Sequence, residues 1–148
     1  MTRKLARRRL DARLSHFREN EAGSVPSTGW VRAIRDALGM SSSQLARRMG
    51  VSPQAVTGPE QSEVSGTTSL NTLRRVAAAL DATLVYAIVP NATLESMVEN
   101  KAKSIARVAV MSVNHTMMLE GQGTGTDALE EAIETYAEGL RDRELWQD

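Results

Sequence analysis

Along most of the chain, apolar residues recur every three or four positions, the spacing of one face of an α-helix. Ala6, Leu10, Leu14 and Phe17 mark one such face, and Trp30, Ile34 and Leu38 a second, with Arg32 and Arg35 expected to point outward. Leu45, Ala46 and Met49 form a third, and Leu70, Leu73, Val76, Ala77 and Leu80 a fourth. From Thr93 onward, Leu94, Met97, Val98, Ile105, Val108 and Ala109 run toward Leu119, and Leu129, Ile133, Tyr136 and Leu140 line a last helix. One stretch breaks the period. TLVYAIV at 83–89 is β-branched, apolar on both faces and closed by Pro90, so it reads as a strand. The expected fold class is mainly all-α, with one strand near the middle of the chain.

Start and stop signals sharpen the boundaries. Ser41 followed by Gln44 is a capping box, and Gly50 supplies the left-handed residue that ends that helix. Val51 plugs the turn, Ser52 is the expected cap of the next helix and Pro53 its first residue. Two short helices meeting at a turn with Ala46 and Val51 buried make a helix-turn-helix, whose second helix enters the DNA major groove. Ser69 is a good cap for the helix from Leu70, and Asp127 with Glu130 a further capping arrangement. Residues 20–28, rich in Gly, Ser and Pro, read as a linker, and GQGTGT at 121–126 as a flexible break. The expected organisation is a basic helix and linker over 1–28, the helix-turn-helix domain with its strand over 29–90, and a helical extension over 91–148.

Candidate chemistry follows from these placements. Ser52, Pro53, Gln54, Ala55 and Thr57 occupy the exposed start of the second helix. Gln54 can pair bidentately with an adenine edge, while Ala55 and Thr57 can touch a thymine methyl. Gln44, opening the preceding helix, is placed for a phosphate. A lone strand leaves unpaired backbone groups, and pairing Leu84, Val85, Tyr86, Ala87 and Ile88 with the same strand of a second copy satisfies them. A homodimer on double-stranded operator DNA, reading two half-sites, is therefore expected.

Composition changes the picture in three ways. Aromatics are only 3% against 41% hydrophobic residues, so the core must be aliphatic and methionine-based. The net charge of zero hides an asymmetry: residues 1–18 carry seven basic side chains against Asp11, and 120–148 carry nine acids against Arg141 and Arg143. The basic helix, with Arg3, Lys4, Arg7, Arg8 and Arg13, is either a phosphate-contacting arm in which Arg7 takes part or a solvated helix packed on the domain. The acidic end suits solvent or a basic protein surface. Cysteine is absent, which excludes disulfides and thiolate metal sites. His16 and His115 stand alone and no glycine motif follows a strand, so no metal, no cofactor and no enzymatic activity are expected. No run approaches the roughly 18 apolar residues of a membrane span, which points to a cytoplasmic protein with no membrane partner.

GVSPQAVTGPEQSE, followed by SLNTLRRVAAALDATLVYAIVP, resembles the Xre-type regulators. More narrowly, the chain from about Trp30 to its end is similar to the mobile mystery protein A family. The resemblance implies a lambda-repressor-like helix-turn-helix domain, an antitoxin-type repressor role and a Fic-domain partner, which transfers AMP from ATP to protein hydroxyls. Fic inhibitors carry a Ser or Thr, three further residues, a Glu, then Gly or Asn, and Thr116 to Gly121 (TMMLEG) matches. The resemblance implies that Glu120 pairs with a Fic arginine that otherwise holds the ATP γ-phosphate, a charge-assisted contact that competes with phosphate. Thr116 and Glu120 share one helical face. Ser15 to Asn20 (SHFREN) matches the same pattern and is the rival motif. One departure stands out: Gly58 and Pro59 fall inside the recognition helix, where Pro costs about 3 kcal/mol and Gly about 1. The helix is expected to kink or stop near Thr57. The expected function is an antitoxin and autorepressor; the alternative is a plain Xre-type regulator with no Fic partner.

Overall fold

The computed structural model describes residues 2–19 and 25–147. Among them are seven α-helices: α1 (Arg3–Glu19), α2 (Trp30–Ala37), α3 (Ser42–Met49), α4 (Gln54–Ser65), α5 (Leu70–Ala79), α6 (Leu94–Leu119) and α7 (Thr126–Gly139), with a 3-10 turn at Asp142–Glu144. They divide into two compact units. Asn20–Ile88 holds α2 to α5; Met1–Glu19 and Val89–Asp148 together hold α1, α6 and α7. Residues 20–24 of the expected linker lie outside the described residues.

In the α2–α5 unit the core is Val31, Leu45, Ala46, Val56, Val76 and Leu80, with Ile34, Met40, Met49, Val51 and Leu73 packed around it. α3 opens on its capping box: the Ser41 N–H donates to Gln44 Oε1 at 2.8 Å and the Gln44 N–H to the Ser41 hydroxyl at 3.2 Å. It closes on Gly50 in the left-handed conformation, φ 69°. Ser69 caps α5 through the Thr72 N–H at 3.0 Å.

α2 departs from the sequence reading. Trp30 and Leu38, expected on the inward face with Ile34, are exposed, Trp30 at 47%, and Leu70 is exposed as well. The inward face of α2 is set by Val31 and Arg35, both buried, so the helix is turned about its axis from the expected register. Arg35 was expected outside, yet its guanidinium donates to Glu60 Oε1 at 2.6 Å and to the Met40 carbonyl at 2.8 Å. The hydrogen bond to Glu60 and the carboxylate's charge raise the Arg35 pKa above its ordinary value. A buried charge is tolerable only when paired and hydrogen-bonded in this way.

The same interaction explains why α4 does not stop at Pro59 but continues to Ser65. Its second half is anchored at two points on α2. Glu60 holds Arg35, and Glu63 accepts the first N–H groups of α2, from Trp30 at 2.8 Å and Val31 at 3.0 Å. Gly29 is the cap residue of α2 and has no side chain to do this. It also must be glycine: its φ is +80°, and a Cβ there would stand 2.8 Å from Glu63 Oε2.

The expected strand is not formed. Residues 83–89 carry no regular secondary structure, and Val85, Tyr86, Ala87 and Ile88 are exposed while Leu84 is half-buried. A strand exists only by pairing with another, and among the described residues of a single chain none runs beside this segment.

In the other unit, α1 is fastened to the start of α6. Asp11 accepts the N–H of Leu94 at 2.8 Å and of Glu95 at 3.3 Å, the two leading donors of α6. The Leu94 N–H is the chief reason its carboxyl sits below the ordinary carboxylate range. Arg18 donates to the Pro90 and Ala92 carbonyls. The core is small: Ala102 and Ala106 of α6 are buried, with Leu145 at 2% exposure. Val108, Leu10 and Tyr136, expected on inward faces, are exposed.

Candidate functional site

The start of α4 is an exposed surface. Ser52, Pro53, Gln54, Ala55 and Thr57 are exposed, while Val56 between them is 1% exposed and pins the helix to the core. The helix is entered through a tight turn, with the Ala55 N–H donating to the Ser52 carbonyl at 2.9 Å. Pro53 takes the cap position at φ −55°, ψ −36°, with no side-chain cap, so the expected cap bond from the Ser52 hydroxyl is not made. Ser52 and Gln54 are both exposed.

The Gln44 Oε1 is taken by the capping box, which leaves the amide NH2 of this exposed residue as its remaining donor. Gln44, Arg47 and Arg48 line one surface depression with Gly39 and Met40. Arg47 and Arg48 are exposed, Arg48 with an ion pair to Asp81 at 2.8 Å. Sequence reading passed over these two arginines; the signal was present as a basic pair in the last turn of α3, beside the residue chosen for a phosphate. In a helix-turn-helix the first helix lies across the DNA backbone, where such donors belong.

Arg7 is placed elsewhere. It belongs to the α1 unit, where its Nε donates to Glu95 at 2.9 Å and its Nη1 to Asp142 at 3.0 Å. The Glu95 hydrogen bond is the main cause of a raised Arg7 pKa. This guanidinium is a clamp between α1, α6 and the turn at Asp142–Glu144, not a group held out to a phosphate.

Thr116 to Gly121 ends α6. Thr116 donates its hydroxyl to the Ser112 carbonyl at 3.3 Å, Glu120 is the exposed residue that caps the helix end, and Gly121 is left-handed at φ 76°. The Gln122 N–H returns to the Met117 carbonyl at 2.8 Å, the closing bond of a left-handed helix end. Met118 and Leu119 are exposed, Leu119 at 77%. The 121–126 connection, expected as a flexible break, is tied back onto α6. Buried Asn114 accepts the Thr124 N–H at 3.0 Å and donates to Met118 Sδ at 3.6 Å. α7 then starts at Thr126 with Gly125 in the cap position, so the expected cap from Asp127 is not made. The rival motif differs: Ser15 is spent on the Ala12 carbonyl at 2.7 Å and Arg18 on the start of α6, while Asn20 lies outside the described residues.

Among the described residues no group of His, Asp and Glu could hold a metal ion, and no helix is long and apolar enough to cross a membrane.

A family model described as helix-turn-helix matches residues 31–86, the span from α2 through α5 into the segment after it. These residues form an Xre-type helix-turn-helix domain, the DNA-binding module of a class of transcription regulators. No match to the chain was found among curated proteins or among solved structures.

Proposed function

We propose that the protein is a dimeric operator-binding repressor that also restrains a Fic-type AMP-transferring partner, acting in the cytoplasm and catalysing no reaction of its own. The observation that carries the DNA half is the exposed Ser52–Thr57 surface on a helix pinned by Val56 and Glu60. Gln54 reads an adenine edge, Ala55 and Thr57 touch thymine methyls, and Gln44 with Arg47 holds a phosphate. Gln54→Ala then weakens the cognate site by about 1–3 kcal/mol and leaves random DNA unaffected; Arg47→Ala weakens both alike and lowers the salt slope by about one. Equal losses on both DNAs for Gln54→Ala remove it from the reading set. Val85, Tyr86 and Ile88, exposed in the single chain with Ile88 at 87%, are the natural joint of the dimer. Charged replacements at Val85 and Ile88 are expected to give monomers by light scattering; an unchanged dimer moves the joint elsewhere.

The inhibitory half rests on the likeness of Thr116 to Gly121 to the Fic-inhibitor pattern and on its place. It stands at an exposed helix end, whereas the Ser15 motif is fastened down at Arg18. Glu120→Ala is expected to leave the complex intact and switch AMP transfer on, with Glu19→Ala leaving inhibition in place. A partner that stays silent with Glu120→Ala defeats this reading. The second reading, a plain Xre-type regulator, is favoured by the helix-turn-helix match alone and predicts that no Fic-type protein co-purifies.

A further inference from the structure

α6 and α7 leave a groove of 720 Å³ between them on the surface of their unit. One wall is Val110, Val113 and Met117 of α6; the floor on α7 is Ala128 and Ala132. Val113 and Tyr136, at its edges, are exposed. We propose that this groove is a docking site for a single amphipathic α-helix of a partner protein, apolar on the face that enters and basic beside it.

Shape and charge together select that occupant. The apolar wall runs from Ala109 to Met117, about 12 Å of helix, the length over which two turns of a guest helix lay down their i, i+3, i+4 and i+7 side chains. The alanines of the floor let a guest backbone approach closely, within the usual ~8–10 Å between packed helix axes. The rim carries Glu131, and α7, which forms one side of the groove, is acidic along its length. Its other charges are Asp127, Glu130, Glu134 and Glu138, all exposed, with no basic residue among them. A second copy of this chain docking through the same face brings the same acids with it, and like charges juxtaposed across an interface oppose binding. Its basic α1 is already fastened to the start of α6 in its own chain through Arg7, Asp11 and Arg18. A small apolar ligand leaves much of itself in water in a groove whose edges are exposed, unlike the enclosed sites that bind such ligands. A basic amphipathic helix buries the apolar strip and answers the rim at once. This inference stands on the α6–α7 surface alone and does not depend on the role given to Glu120.

The test uses the full chain and a labelled helical peptide of about 18 residues, roughly five turns, with leucines on one face and lysines elsewhere. A counterpart carries glutamates in place of the lysines. The lysine peptide is expected to bind the wild type at physiological salt and the glutamate peptide not to bind. Ala132→Trp fills the floor without altering a charge and is expected to weaken the lysine peptide by about tenfold or more, a loss of about 1.4 kcal/mol. If circular dichroism shows that Ala132→Trp loses helix, Thr135→Trp on the same exposed flank is measured in its place. Equal binding to wild type and variant reduces the effect to charge alone and overturns the proposal. Binding of neither peptide overturns it too. So does a dimer, seen by sedimentation, that the tryptophan variant dissociates, because the groove then belongs to a second copy.

Discussion

The two units bury their helices by opposite means. In α2–α5 the large aliphatic side chains go inward, Leu45, Val56 and Val76 being almost wholly buried, and an ion pair is sealed in with them. In the α1, α6 and α7 unit the buried helix positions are Ala102, Ala106 and Asn114, while Val108, Met111, Val113, Met118 and Leu119 face out. Its helices are joined instead by half-exposed charges at their ends, Arg7 to Glu95 and Asp142 and Asp11 to the start of α6. Both units leave large apolar residues exposed, Trp30, Leu38 and Ile88 in one and Val108, Val113 and Leu119 in the other. The difference lies in what is sealed inside: branched aliphatics with an ion pair in one, alanines and an asparagine along a helix in the other.

The comparison breaks first at its most buried charge. Glu60→Ala removes the buried partner of Arg35, leaving only the exposed Asp36 at 3.0 Å, and is expected to destabilise the α2–α5 unit by about 3–5 kcal/mol in denaturant unfolding. Replacing both, Arg35→Met with Glu60→Leu, should restore most of that, because neither charge then has to be buried. If the single change is mild, the pair is wetter than the geometry implies. Glu63→Ala is a smaller break. It strips two N–H groups at the start of α2 of their acceptor and is expected to cost about 1–3 kcal/mol.

These two glutamates also show where sequence reading ended. The capping box, Gly50, Ser69 and the buried Leu45–Ala46 pair were legible because each depends on residues within one turn. The rotation of α2 was not legible. It is set by Glu60 and Glu63, some 25 and 33 positions away from Arg35 and Trp30, and nothing in the Trp30–Ile34–Leu38 spacing reveals that a carboxylate will reach across. For the same reason Pro59 looked like a helix stop: its local cost is visible in the chain, and the tertiary anchors that offset it are not. In 83–89 the error ran the other way. β-propensity was read correctly, but a ladder needs a neighbour that one chain does not supply.

On the other unit the contrast can be sharpened by pH. The Asp11 carboxyl is held below its ordinary range by the N–H groups of α6. A depressed folded pKa contributes stability that is full above the ordinary carboxylate range and is lost as pH falls through it toward the lowered value. The unit of α1, α6 and α7 is therefore expected to lose stability below about pH 4, and Asp11→Asn to flatten that dependence. Trp146 lies in this unit and Trp30 in the other, so Trp30→Phe leaves a fluorescence signal that follows this unit alone. Equal acid sensitivity in Asp11→Asn assigns the effect to other carboxylates.

The smallest expected effect concerns the one buried polar side chain of α6. Asn114 ties the 121–126 connection to the helix through the Thr124 N–H, and Gly123 lies against Met118 so closely that a Cβ would stand 2.6 Å from Met118 Cγ. If this tie holds the exposed end of α6 in place, Asn114→Ala removes one hydrogen bond, about 1 kcal/mol net, and hydrogen exchange at the Thr124 amide should quicken about fivefold. Exchange within α5 and the affinity for DNA should stay as they were, because Asn114 belongs to the other unit. Gly123→Ala should act in the same direction by displacing Met118. Unchanged exchange at Thr124 in both variants shows a connection held by neither Asn114 nor Gly123, and the placement of Glu120 then owes nothing to Asn114.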